Sequence, residues 1–253
     1  MIAQFAARLI FGMSLTWAFL PQPKISSGFF RIQMLVVLGL AVLGCLTGNA
    51  PNATPILVSP SPFLPLFIGI AVLAFLGSVF WTLERRVAGR WFGNTIALSS
   101  LAIIVVFVTR PSTPLLENAL RVDSEVATSA ILGVTMVAML LGHWYLTAPT
   151  MSHDPLRRAN QLFAVAVLMR FVMSAIALAM NWQLVGSGTT LTWLALRWIA
   201  GILGPALLAV MVWRILKYRN TQSATGVLFV GVILTFIGEL SATLLTRELG
   251  VPF

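Results

Sequence analysis

Four ionisable residues stand in stretches otherwise too apolar to hold them. Glu239 lies in Gln222–Thr246, QSATGVLFVGVILTFIGELSATLLT, and is the one acidic residue placed inside a hydrophobic span. Arg8, Arg170 and Arg197 each stand in another such span. A charge in hydrocarbon is costly unless it is paired, hydrated or neutralised, so each needs a partner or a ligand. At helical spacing Gly231, Thr235, Glu239 and Ala242 share one face, a stripe of small and polar residues. Arg197, Gly201 and Gly204 share another, with Pro205 set to kink the helix beside them. The turn between these last two spans is short, so Arg197 and Glu239 are expected to pair directly.

Two readings of these charges stay open. In one, Arg197–Glu239 is a structural ion pair locking two helices. In the other, Arg8 and Arg170 add positive charge beyond the one carboxylate. The charges then line a pocket for an anionic or hydrogen-bond-accepting ligand: a quinone carbonyl, a lipid phosphate or a small anion. Trp193, one turn before Arg197, is placed to stack on a ring. Arg8 has a third option, snorkelling outward.

His143 stands near the end of another span, with Met136 and Met139 on its face. The plain reading is an interfacial hydrogen-bonding residue beside Trp144 and Tyr145. The alternatives are proton transfer, alongside Glu239, or one haem with His/Met ligation. With His153 as the only other histidine, two bis-histidine haems are excluded. A single cysteine, Cys45, excludes an intrachain disulfide, a multi-cysteine zinc site and a four-cysteine iron–sulfur cluster. No HExxH, GxSxG or P-loop pattern occurs, so no catalytic residue is assigned and no metal or covalent cofactor is expected. Asn52-Ala53-Thr54 matches a glycosylation sequon, a pattern with many false positives.

The elements that must position these residues follow from composition. The chain has 253 residues, of which 58% are hydrophobic and 9% charged, and its mean hydropathy is +0.95. Soluble domains are usually about 25% charged. In lipid every backbone group must be satisfied within its own segment, so the long apolar runs are helices. Eight spans are expected, at about 2–20, 32–47, 63–83, 91–109, 126–146, 159–182, 189–215 and 222–246, forming one all-α transmembrane domain. The segment Arg110–Glu125 is read as a mixed-charge loop.

The net charge of +9 does not point to nucleic acid. The basic residues sit in short clusters between spans, as topology signals do. Lys24, Arg31, Arg85, Arg86, Arg90, Arg157, Arg158, Arg214, Lys217 and Arg219 fall on one side, against Arg110, Arg121 and Arg247 on the other. The positive-inside rule then makes the first side cytoplasmic and puts both termini on the external or periplasmic side of a cell (inner) membrane. Arg8, Arg197 and Glu239 come out at one level in the outer half, with Arg170 nearer the midplane. The tryptophans and tyrosines near span ends, Trp81 and Tyr145 among them, are expected to form an interfacial belt.

The last two spans resemble those of the membrane-anchor subunits of the DMSO-reductase family, related to the polysulfide-reductase anchors. The matching residues are Arg197 early in span seven and Gly238-Glu239-Leu240 near the outer end of span eight, followed by Arg247. The resemblance covers roughly the last 60 residues and the overall topology. It implies a quinol-interacting subunit without haem that passes electrons to an external iron–sulfur or cytochrome partner, with Arg197 and Glu239 near the quinone head group. A stand-alone small-molecule, ion or lipid transporter, and a purely structural subunit of a larger complex, are the other classes the sequence leaves open.

Overall fold

The computed structural model describes residues 2–48, 63–109, 114–148, 151–184, 186 and 188–250. Arg110 and the Asn52 sequon lie outside them. The described chain is all-helical: α1 Ile2–Phe19, α2 Ser27–Gly48, α3 Leu64–Thr82, α4 Arg86–Val108, α5 Leu115–Thr147, α6 Asp154–Asn181, α7 Gly188–Trp198, α8 Gly204–Lys217 and α9 Thr221–Leu249. A π-helical segment, Ile199–Leu203, joins α7 to α8 as one long helix, which gives eight helices long and apolar enough to span a membrane. The chain is therefore an all-α, polytopic membrane protein.

The two innermost helices are α1 and α5, each more than half buried. Their contact is set by small residues. Ala3, Ala6, Ala7 and Gly12 of α1 are all buried. A Cβ on Gly12 would lie 1.7 Å from the Ser129 carbonyl oxygen, and one on Gly133 would lie 1.9 Å from the Gly12 carbonyl carbon. The backbones touch there, as small residues allow in bilayer packing. Around this pair, α2 and α4 flank α1 with α3 packed on both, while α6 and α9 flank α5 with the α7–α8 helix packed on both.

The two ends of the bundle are held differently. At the end opposite the termini, Lys24 pairs with Asp154, and Arg86 donates to the carbonyls of Gln22, Pro23 and Ile25. There Trp144 also donates to the Ser26 hydroxyl at 2.8 Å. These basic residues sit in short connections and on first turns. Within the turn joining α8 to α9, Arg219 adopts the left-handed region (φ 56°), before Asn220 caps α9 by accepting from the Ser223 amide at 2.9 Å. Left-handed backbone costs a residue with a Cβ roughly 1–2 kcal/mol. Arg219→Gly is thus expected to raise stability in detergent by up to about 1 kcal/mol, and a lower thermal midpoint would contradict this account of the turn.

Three expectations need correction. The segment Arg110–Glu125 is not a loop throughout: α5 starts at Leu115 behind Pro114, and Glu117, Asp123 and Glu125 are helical. Glu117 and Arg121 pair across one turn at 2.7 Å, favouring helix. The connection between the spans expected at 63–83 and 91–109 is shorter than those bounds imply, because α4 begins at Arg86. Trp81 and Tyr145 leave the aromatic belt and turn inward, Trp81 stacking on Phe30 and Tyr145 donating to the Ser152 carbonyl. Trp91, Trp182, Trp213 and Tyr218 are exposed, as belt residues are.

Candidate functional site

Arg197, Arg170 and Glu239 lie roughly ten residues from the terminal ends of α7, α6 and α9, and these helices bring them together. Glu239 is the centre. Its Oε1 accepts from Arg197 Nη1 at 2.7 Å and from Arg170 Nε at 3.0 Å, while Oε2 accepts from Arg170 Nη2 at 3.2 Å. Arg170 thus grips the carboxylate with two donors, as the planar guanidinium allows. The remaining donors are used too. Arg197 Nε and Nη2 reach the Ser174 hydroxyl at 3.2 and 2.9 Å, and Arg170 Nη1 reaches the Ser124 hydroxyl at 3.1 Å. All three charged side chains are buried.

The α7–α9 contact that permits this is again glycine on glycine. A Cβ on Gly238 would lie 2.0 Å from the Gly201 Cα. Close by, Pro205 lacks the N–H for a regular helical bond, and its ring would crowd the carbonyl of Gly201. The chain answers with the π turn, in which the Gly204 amide donates to the Ile199 carbonyl five residues back. At the position where a kink was expected the helix carries this π turn, which shifts its register by one residue.

Arg8 does not snorkel, and it does not join Glu239. Its Nε and Nη2 donate to both oxygens of Glu125 on α5, and its Nη1 donates to the Thr243 hydroxyl on α9 at 3.2 Å. Gln4 adds a donor to Glu125 at 3.3 Å. Glu125 is therefore a second carboxylate within the charge cluster. The expectation of three arginines sharing one carboxylate is corrected to three arginines on two. Arg170 is corrected in depth as well, since it meets Glu239 at the level of Arg197 and not at the midplane. Thr243 connects the two networks: it accepts from Arg8 and donates to the Glu239 backbone carbonyl at 2.8 Å.

Above these pairs, at the end carrying the termini, is a polar cavity of about 220 Å³. Arg8, Arg121, Arg170, Arg247, Glu125 and Glu239 supply its charges, and Gln4, Ser124, Thr128, Thr243 and Thr246 its neutral hydrogen-bonding groups. Four arginines face two glutamates, a positive balance. Beside it runs an apolar groove of about 400 Å³, lined by Ile2, Phe5, Leu132, Phe236 and Leu240. Cavity and groove share Gln4, Arg8, Glu239 and Thr243.

No family model, curated protein or solved structure matches this chain. Its chemistry rests on the residues alone.

Arg197 bonds Glu239 but lines neither the cavity nor the groove. Two other expected participants lie elsewhere. Trp193 packs with Trp198, Ala177 and Leu178 around Leu194 and Leu245, and does not line the cavity. His143 stands eighteen residues along α5 from Glu125, which is about 27 Å at 1.5 Å per residue. It is exposed near the other end of the bundle, so direct proton exchange with Glu239 is ruled out by distance. His153, in the loop beyond it, lies against Tyr145 with ring centroids 6.1 Å apart.

Glu125, Ser124, Ser174 and Thr243 were not legible as partners. One signal pointed to Glu125. Helix spacing from Glu117 through Arg121 to Glu125 continues onto Ser129, a polar stripe running into the span. Because Arg8 and Glu125 are partly reached by solvent, with 11% and 14% of their side chains exposed, their pairing is worth less than the buried one. Glu125→Gln is expected to lower stability by about 1 kcal/mol, well below the loss for Glu239→Gln. Equal losses in thermal melts of the two variants would refute this ranking.

Proposed function

We propose that the chain is the integral membrane subunit of a respiratory or redox complex, anchoring iron–sulfur or cytochrome partners and binding quinol or quinone at the end that carries the termini. One observation carries the reading: a polar cavity rich in donors adjoins an apolar groove, the two sharing Arg8, Glu239 and Thr243 in their linings. A quinone has the same division, a head with two carbonyl acceptors and a hydrocarbon tail. Arginine N–H groups suit those acceptors, and the ion pairs of Arg8, Arg170 and Arg197 keep the site stable when empty. The glutamates give a quinol hydroxyl an acceptor. The resemblance of Arg197 and Gly238-Glu239-Leu240 to the anchor subunits supports the same class.

The positive balance of the cavity favours a second reading, a lipid-handling or transport protein that takes a phosphate head group. Titration of a short-chain ubiquinone into the protein in lipid nanodiscs separates the two. Arg8→Lys keeps the charge facing Glu125 but loses the two-pronged guanidinium. It is expected to weaken quinone binding about tenfold, the loss of roughly one charged hydrogen bond. Unchanged affinity, or no saturable binding by the wild type, would count against the quinone reading.

Loop charge supports external or periplasmic termini. A C-terminal alkaline phosphatase fusion is expected to be active and a C-terminal fluorescent fusion dark. The reverse result would move the cavity to the cytoplasmic face.

A further inference from the structure

Helices α1 and α9 both pack along α5, and the groove lies in the gap between them. What spans this gap is side chain, not backbone packing. Phe5 of α1 meets Phe236 of α9 edge to face, with ring centroids 5.5 Å apart and planes at 82°. Beside it, Arg8 Nη1 reaches the Thr243 hydroxyl. Ile2 and Leu240 on the two flanks are more than half exposed, so the groove is open on the face where lipid would lie. The rest of its lining is hydrocarbon, and its polar residues, Gln4, Arg8, Glu239 and Thr243, are all shared with the charged cavity.

We infer that this gap is a lateral doorway through which the prenyl tail of a quinone lies and by which the head group reaches the cavity from the bilayer. The inference rests on the quinone reading above. The occupant follows from adjacency: a molecule with its head beside Arg8 and Thr243 has the groove as the apolar space adjoining those residues. Edge-to-face rings are held by about 0.5–1.5 kcal/mol beyond their burial, a hold that thermal motion breaks easily. The Phe5–Phe236 pair is therefore suited to part and re-form as a tail passes. By contrast, the Gly12·Gly133 and Gly201·Gly238 crossings on either side are in backbone contact, and leave no such gap.

A quinone carrying a photoreactive group at the far end of a short prenyl tail tests this. It is bound to the whole protein in nanodiscs, irradiated, and the labelled peptides are identified with and without excess unlabelled quinone. Labelling on the Ile2–Arg8 and Phe236–Thr243 segments that the competitor removes is the expected result. Leu240→Trp narrows the doorway from an exposed position and should reduce that labelling about tenfold, while Leu207→Trp, equally exposed on α8, should leave it unchanged. Saturable quinone binding with labels elsewhere would overturn the doorway and leave the quinone reading standing. Absence of saturable binding would sink that reading and the doorway with it. Labelling displaced by phospholipid but not by quinone would also overturn the proposal.

Discussion

Glu239→Gln is expected to lower the thermal midpoint in detergent by roughly 6–20 °C. Two buried arginines converge on this carboxylate, and between them they use both its oxygens. Glutamine keeps the shape but loses the charge and offers an N–H toward a guanidinium. Breaking a buried pair by removing one partner typically costs about 3–5 kcal/mol, because the other charge stays buried and unmatched. In a chain of this size each kcal/mol moves the midpoint by about 2–4 °C. The effect should be largely repaired by removing the positive charges as well. The triple variant Arg170→Met/Arg197→Met/Glu239→Leu is expected to melt well above Glu239→Gln, since replacing a whole buried ionic cluster by apolar groups is often neutral or stabilising. A Glu239→Gln variant that melts like the wild type would mean that water reaches the cluster freely and that it is not a lock.

The other large effect is expected at a residue with no chemistry. Gly133→Val should prevent the α1–α5 contact from forming, because even the first atom of its side chain would fall 1.9 Å from the Gly12 carbonyl carbon. Backbone occupies that space, and backbone cannot swing aside as a flexible side chain can. Overpacking a core usually costs about 1–3 kcal/mol and more where nothing yields. Here the two innermost helices would have to separate, which would also pull Arg8 from Glu125. The variant is expected to yield little monodisperse protein on size-exclusion chromatography. Gly39→Val, at a glycine with open space around it, should behave as wild type. Normal recovery of Gly133→Val would show that the helix contact is looser than the geometry requires.

These two cases mark what could be read before the structure. Hydropathy located eight spans because a bilayer permits little else, and errors fell where spans meet polar chain. Residues Leu115–Glu125 carry enough charge to resemble a loop, yet their charges are spaced to pair along a helix. The Arg197–Glu239 pair was legible because the connecting turn forces two helices to be neighbours. No such constraint ties Arg8 to Glu125, which are 117 residues apart in sequence, or Arg170 to Glu239. Trp193 shows the limit of face counting. One turn from Arg197 placed it on a plausible side, but it packs into a separate cluster beside Leu245. The glycine at 238 was noticed as part of a motif, whereas its role as the seat of Gly201 needed the helices in place.

The most direct test of a quinone-binding membrane subunit is mass spectrometry of the gently solubilised native-source protein, with copurifying chains and extracted small molecules identified together. The account predicts a bound quinone and at least one iron–sulfur or cytochrome subunit, with less quinone retained on Arg8→Lys substitution. A lone chain carrying only phospholipid, or no small molecule at all, would contradict it.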